Sequence, residues 1–143
     1  MWQDAKRLAV LCLVAPTRLA DYRALQADLC HRVVAQVAVD APAPVAEVAH
    51  GDPQVIAADT VTLLVHASVQ PGPHGRPLIA FSLRPFRATT EQTAQLFSAP
   101  PRAAALNPDG GAGADVDGAI RAALDETLPW RASPPSLVGQ PLY

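Results

Sequence analysis

At 143 residues, 50% of them hydrophobic but only 5% aromatic, the chain is long enough for one core burying roughly two thirds of its unfolded surface. That core must be built from Ala, Val and Leu. Eleven basic against thirteen acidic residues give a formal charge of −2, and without a basic block the electrostatic footprint of a nucleic-acid binder is missing.

The first twenty residues carry two readings. Lys6 and Arg7 precede an unbroken apolar run, Leu8 to Ala15, followed by Pro16, Thr17 and a small residue at Ala20, which is the three-part layout of a secretory signal. The run falls short of the about 20 apolar residues that span a bilayer, so no stable membrane anchor is expected. Asp4 in the basic region and Arg18 just before Ala20 fit a signal poorly. A short apolar run stopped by a proline equally fits a buried strand. The expectation is a signal peptide over residues 1–20, with a first buried strand over residues 7–14 as the alternative. If residues 1–20 are removed, Cys12 goes with them and Cys30 is left without a partner in the chain. If they stay, two cysteines eighteen positions apart make no metal pattern.

Residues 21–129 read as a single α+β domain. From Asp21, the positions of Tyr22, Leu25, Leu29, Val33 and Val37 at spacings of three and four predict an amphipathic helix with Asp21 as its cap. Asp28 and Arg32 form a favourable surface pair, and Cys30 lies on the border of the apolar stripe, where cysteine packs as a small hydrophobe. Pro42 and Pro44 end the helix. Residues 45–50 suit a short strand closed by Gly51, Asp52 and Pro53.

Residues 60–70 and 78–86 predict an antiparallel hairpin. Alternation sends Val61, Leu63, Val65, Ala67 and Val69 to one face, matched by Ile79, Phe81 and Leu83. Pairing Gln70 with Leu78 sets Val69 against Ile79, Ala67 against Phe81 and Val65 against Leu83, and a one-residue slip would turn an apolar set to the wrong side. Residues 93–99 suit an edge strand or a helical turn, with Pro100 and Pro101 favouring the edge strand. After a glycine-rich loop over residues 107–114, Asp115 is expected to cap a second helix with Val116, Ile120, Ala123, Leu124 and Leu128 on one stripe. Residues 130–143 are expected to form an extended proline-rich tail. The predicted architecture is an antiparallel sheet of three to four strands with two helices on one face, in the order helix, strands, helix.

The outward face of the hairpin carries His66, Ser68, Ser82 and Arg84, with His66 opposite Ser82. A histidine beside hydroxyls and an arginine can hold an anion or orient a nucleophile, so these four are the candidate binding residues. No catalytic residue is assigned. Gly110 to Val116 matches one unit of a calcium-binding nonapeptide, but one copy supplies only part of a shell of 6–8 oxygens. His31, His50, His66 and His74 lack ligand spacing, so no metal and no cofactor is expected. The leading functional reading is a non-enzymatic periplasmic or secreted binding or assembly module whose partner is another protein of the cell envelope. The alternatives are a cytosolic ligand-binding or subunit-interaction domain in which residues 7–14 add a strand, and an enzyme using His66 and Arg84.

Overall fold

The computed structural model describes residues 1–88 and 100–131. The expected element at residues 93–99 and the tail from residue 132 onward lie outside them. The architecture is α+β: a five-stranded mixed sheet with two helices. The strands are β1 (Arg7–Val14), β2 (Val45–Glu47), β3 (Thr60–Gln70), β4 (Leu78–Phe86) and β5 (Arg102–Ala105), ordered β2-β1-β3-β4-β5. The helices are α1 (Tyr22–Val37) and α2 (Ala114–Thr127).

The sheet differs from the expected antiparallel one in number of strands and in direction. Arg7–Val14 is a strand, paired in parallel with β2 on one side and with β3 along its whole length on the other. Its composition explains the placement. Leu8, Val10, Cys12 and Val14 point into the main core while Ala9 and Leu11 are buried on the opposite face, and a strand covered on both faces needs an unbroken apolar run. β5 follows directly after Pro100 and Pro101 and pairs with β4 over Leu78–Phe81. β2 is limited to three residues, shorter than the 45–50 segment expected.

The hairpin has the alternation-derived register: Gln70 faces Leu78, Val69 faces Ile79, Ala67 faces Phe81 and Val65 faces Leu83. Both helices lie on the apolar face of the sheet to which these residues point. α1 lies over β1 and β2 through Leu25, Leu29, Val33 and Val37, and α2 lies over β4 and β5 through Val116, Ile120, Ala123 and Leu124. Asp21 caps α1 by accepting a hydrogen bond from the Ala24 N–H at 3.2 Å. Asp115 does not cap α2: Gly113 is the cap residue, and Asp115 and Asp117 sit in the first turn, where a helix favours negative charge. The two tryptophans meet edge to face, Trp2 against Trp130 with centroids 5.3 Å apart, which fixes the start of the chain beside the end of α2. Arg87 adds a second tie by donating from Nη1 to the Met1 carbonyl and from Nε to that of Ala58.

Cys30 is not simply a packed hydrophobe. It forms a disulfide with Cys12, with Cα atoms 5.6 Å apart, and so joins the middle of α1 to β1.

Between the helices, Arg32 donates to Asp28 Oδ2 at 2.9 Å, to Asp117 Oδ2 at 2.8 Å and to the Ala112 carbonyl at 3.1 Å. The bonds to Asp117 and then Asp28 hold its pKa above the ordinary arginine value. Because both carboxylates are partly exposed, each pair is weak, and Arg32→Met is expected to cost about 1–2 kcal/mol. Urea denaturation of the variant checks this. A loss indistinguishable from zero would mean that apolar packing alone fixes α1 against α2.

Candidate binding groove

Among the described residues, the connection from β2 to β3 decides which part of the second sheet face stays open. β3 lies on the far side of β1 from β2, so residues 48–59 must cross β1, and they do so on the face away from the helices. Val48 and Val55 pack there against Ala9, Leu11, Leu13 and Leu64. Thr60 and Thr62, polar by type, are buried in the same region, at 0% and 1% exposure. The crossover covers one end of the face. At the other end β1 stops at Val14, opposite Ala67, while β3 runs on to Gln70.

A groove of about 580 Å³ occupies that end, lined by residues that include Leu13, Pro16, His66, Ser68, Ala80 and Ser82. A smaller recess of about 140 Å³ adjoins it, lined by Leu64, His66, Ser82 and Arg84. The two share His66 and Ser82, so together they gather all four candidate binding residues. Their placement follows from strand parity. His66 pairs with Ser82, Leu64 with Arg84 and Ser68 with Ala80, and all six side chains project from the face opposite the helices.

The lining is apolar at the β1 end and cationic at the other. Gln70 donates from Nε2 to Ser68 Oγ at 3.2 Å, which leaves that hydroxyl's proton free to turn toward the groove. His66 and Arg84 are exposed. The ion pairs among the described residues join His31 to Glu47, Arg32 to Asp28 and Asp117, Arg102 to Glu126, and Arg131 to Asp125. His66 and Arg84 take part in none of them, and among the described residues no carboxylate lines either recess. The arrangement can hold an anion at one end and an apolar body at the other. Leu13 and Pro16 were missed as lining residues because both fall within the segment read as a leader. Taking Leu8 to Val14 as a strand ended by Pro16 would have found them.

The other sequence candidate resolves into local structure. In the loop before α2, Asp109 Oδ1 accepts from the Gly111 N–H at 2.8 Å, and the Asn107 N–H donates to the Gly111 carbonyl at 2.8 Å. Gly110 has φ +86°, and a Cβ there would lie 3.0 Å from that of Ala20, so the glycine serves a tight turn against the start of α1. Asp117 is spent on Arg32. Among the described residues no three His, Cys, Asp or Glu side chains form a metal-holding group, and no helix is long and apolar enough to cross a membrane.

No family model matches the chain, and no curated protein matches it. Among solved structures, a PelC dodecamer from Paraburkholderia phytofirmans is similar at 12% sequence identity and a TM-score of 0.48, over 86% of this chain and 89% of that one. A likeness at that level carries no function to this protein.

Proposed function

We propose that this protein is an exported binding or assembly module without catalytic activity, and that it meets another protein of the cell envelope at the open end of its outer sheet face. The observation that carries the reading is the groove beside His66, Ser68, Ser82 and Arg84. It joins an apolar wall to polar groups that make no ion pair among the described residues, on a face that the crossover covers at one end only. Apolar clefts with a few convergent polar groups are the usual form of a binding site.

Export draws support from the Cys12–Cys30 disulfide, since such crosslinks persist in oxidising compartments. The same bond and the position of β1 argue that the exported chain keeps residues 7–14. Cleavage after Ala20 would take away the strand between β2 and β3 and half of the crosslink. The extra strand belonged to the cytosolic alternative, but strand count and compartment are separable. β1 speaks for the strand and the disulfide speaks against the cytosol.

A photo-crosslinking residue at Ser82 in the native host, compared with one at the exposed Arg121 on α2, tests the docking face. A discrete crosslinked envelope protein from position 82 and none from 121 is the expected result. Equal patterns from the two positions, or none from 82, would overturn it. Alkylation of the same protein before and after reduction, followed by intact-mass measurement, tests the compartment. Free thiols, or a chain lacking residues 7–14, would overturn export in this form.

A further inference from the structure

On the docking reading above, the lining of the groove fixes the chemistry of whatever segment fills it. We infer that the groove holds an extended, acidic and apolar segment of the partner protein, with a carboxylate beside His66, Ser82 and Arg84 and an apolar side chain against Leu13, Pro16 and Ala80.

The anion end rests on charge complementarity. Arg84 and Ser82 are two residues apart on β4 and project from one face, and His66 faces Ser82 across the ladder. An arginine fork, a hydroxyl and an imidazole therefore converge on one recess. Guanidinium donors match a carboxylate in a way that a water-filled recess does not, because charge-assisted hydrogen bonds are about twice as strong as neutral ones. Elsewhere in the described structure Arg32, Arg102 and Arg131 are neutralised by carboxylates of this chain. Among the described residues no carboxylate lines the recess at Arg84, and on the proposal that place belongs to a carboxylate of the partner.

The apolar end follows from the way β1 stops. Beyond the end of β1, Leu13 and Pro16 border the groove on one side, and Ala80, two strands away on the same sheet face, lines it on β4, where its methyl leaves room for a larger side chain. Ala80 and Arg84 lie four residues apart on one strand face, about 13 Å at strand rise. An extended peptide running along β4 spans that distance with an apolar side chain and an acidic one four residues apart, both on the same face. In a helix a four-residue spacing covers only about 6 Å, so there the two side chains would have to stand about nine residues apart.

Binding of three labelled, C-terminally amidated peptides, identical except for Glu, Gln or Lys four residues after a Leu, tests this with fluorescence polarisation. The Glu peptide is expected to bind about three- to tenfold more tightly than the Gln peptide, the range for charge-assisted bonds at a partly exposed site. Replacing its Leu by Ser should weaken it further. Arg84→Glu, an exposed substitution, should reverse the order and favour the Lys peptide, with circular dichroism confirming the fold. Equal binding of the Glu and Gln peptides, no binding by any peptide at millimolar concentration, or displacement of the Glu peptide only by free decanoate would overturn the inference. Those results beside persistent crosslinking from Ser82 would leave the docking face standing with a different occupant. Loss of that crosslinking specificity would overturn the docking face itself.

Discussion

Val10→Asp is expected to leave no cooperatively folded protein. Val10 is 0% exposed and sits in the middle of β1, opposite Glu47 of β2 and Leu63 of β3, with its side chain in the main core. Removing the valine forfeits about 1.5–3 kcal/mol of apolar burial. Placing an unpaired carboxylate there adds several kcal/mol more, either as desolvation or as the work of protonating it at neutral pH. A domain of this size has about 5–15 kcal/mol in all, so the substitution consumes most or all of it. Leu19→Asp, at an exposed position, is the control and should stay within about 0.5 kcal/mol of the parent. Far-UV circular dichroism and urea denaturation of refolded protein measure both. The same experiment separates the two readings of Leu8 to Ala15. If the run were only a leader, Val10→Asp and deletion of residues 1–20 would leave residues 21–131 folding as before. If the run is β1, both lose the fold, because its loss detaches β2 from the sheet and uncovers the long edge of β3.

The hairpin was legible because two independent patterns had to agree. Strict alternation in residues 60–70 and in 78–86 allows only one pairing that keeps both apolar sets on one face. The four candidate residues came from the same parity, which is why the structure places them together. α1 was legible from its stripe and cap. β1 was ambiguous because a strand buried on both faces shows no alternation, and its apolar run has the same composition as a leader. The mixed sheet and the disulfide were lost with it. Cys12 falls on the core stripe with Leu8, Val10 and Val14, and Cys30 lies between Leu29 and Val33 of α1, so the pairing appears only once β1 is laid under the helix. β5 gave little signal, since Arg102-Ala103-Ala104-Ala105 has neither β-branched residues nor alternation. The cap of α2 lies two residues before Asp115, at Gly113, where a Cβ would lie 2.8 Å from Asn107 Oδ1 and glycine is therefore favoured.

Removing the crosslink, by Cys12→Ala with Cys30→Ala, should cost about 3 kcal/mol and lower the midpoint of thermal unfolding by about 10 °C. The bond closes a loop between positions eighteen apart in the chain, and tying the loop ends restricts the unfolded chain more than the native one. In urea the midpoint should fall by about 1–2 M. Both half-cystines are buried, Cys12 at 4% and Cys30 at 2% exposure, so a reductant reaches them mainly when the chain opens. The parent protein unfolded with reductant should therefore fall to the stability of the double variant, whereas without it the two should remain apart. Coincident curves in all conditions would mean that the bond does not form. The effect should be felt at the groove as well as in the core. Val14 N–H donates to Gln26 Oε1 of α1 at 3.0 Å, so the crosslink and this bond together hold the end of β1 under the helix, and the chain turns at Pro16 directly beyond it. Once the crosslink is gone, Gln26 is the polar tie of that end to α1, beside the Ala15 N–H bond to the Ala67 carbonyl that keeps it on β3. Hydrogen exchange should then quicken at Leu13 and Val14 before it does in β3 or β4, whose hairpin ladder does not depend on the disulfide.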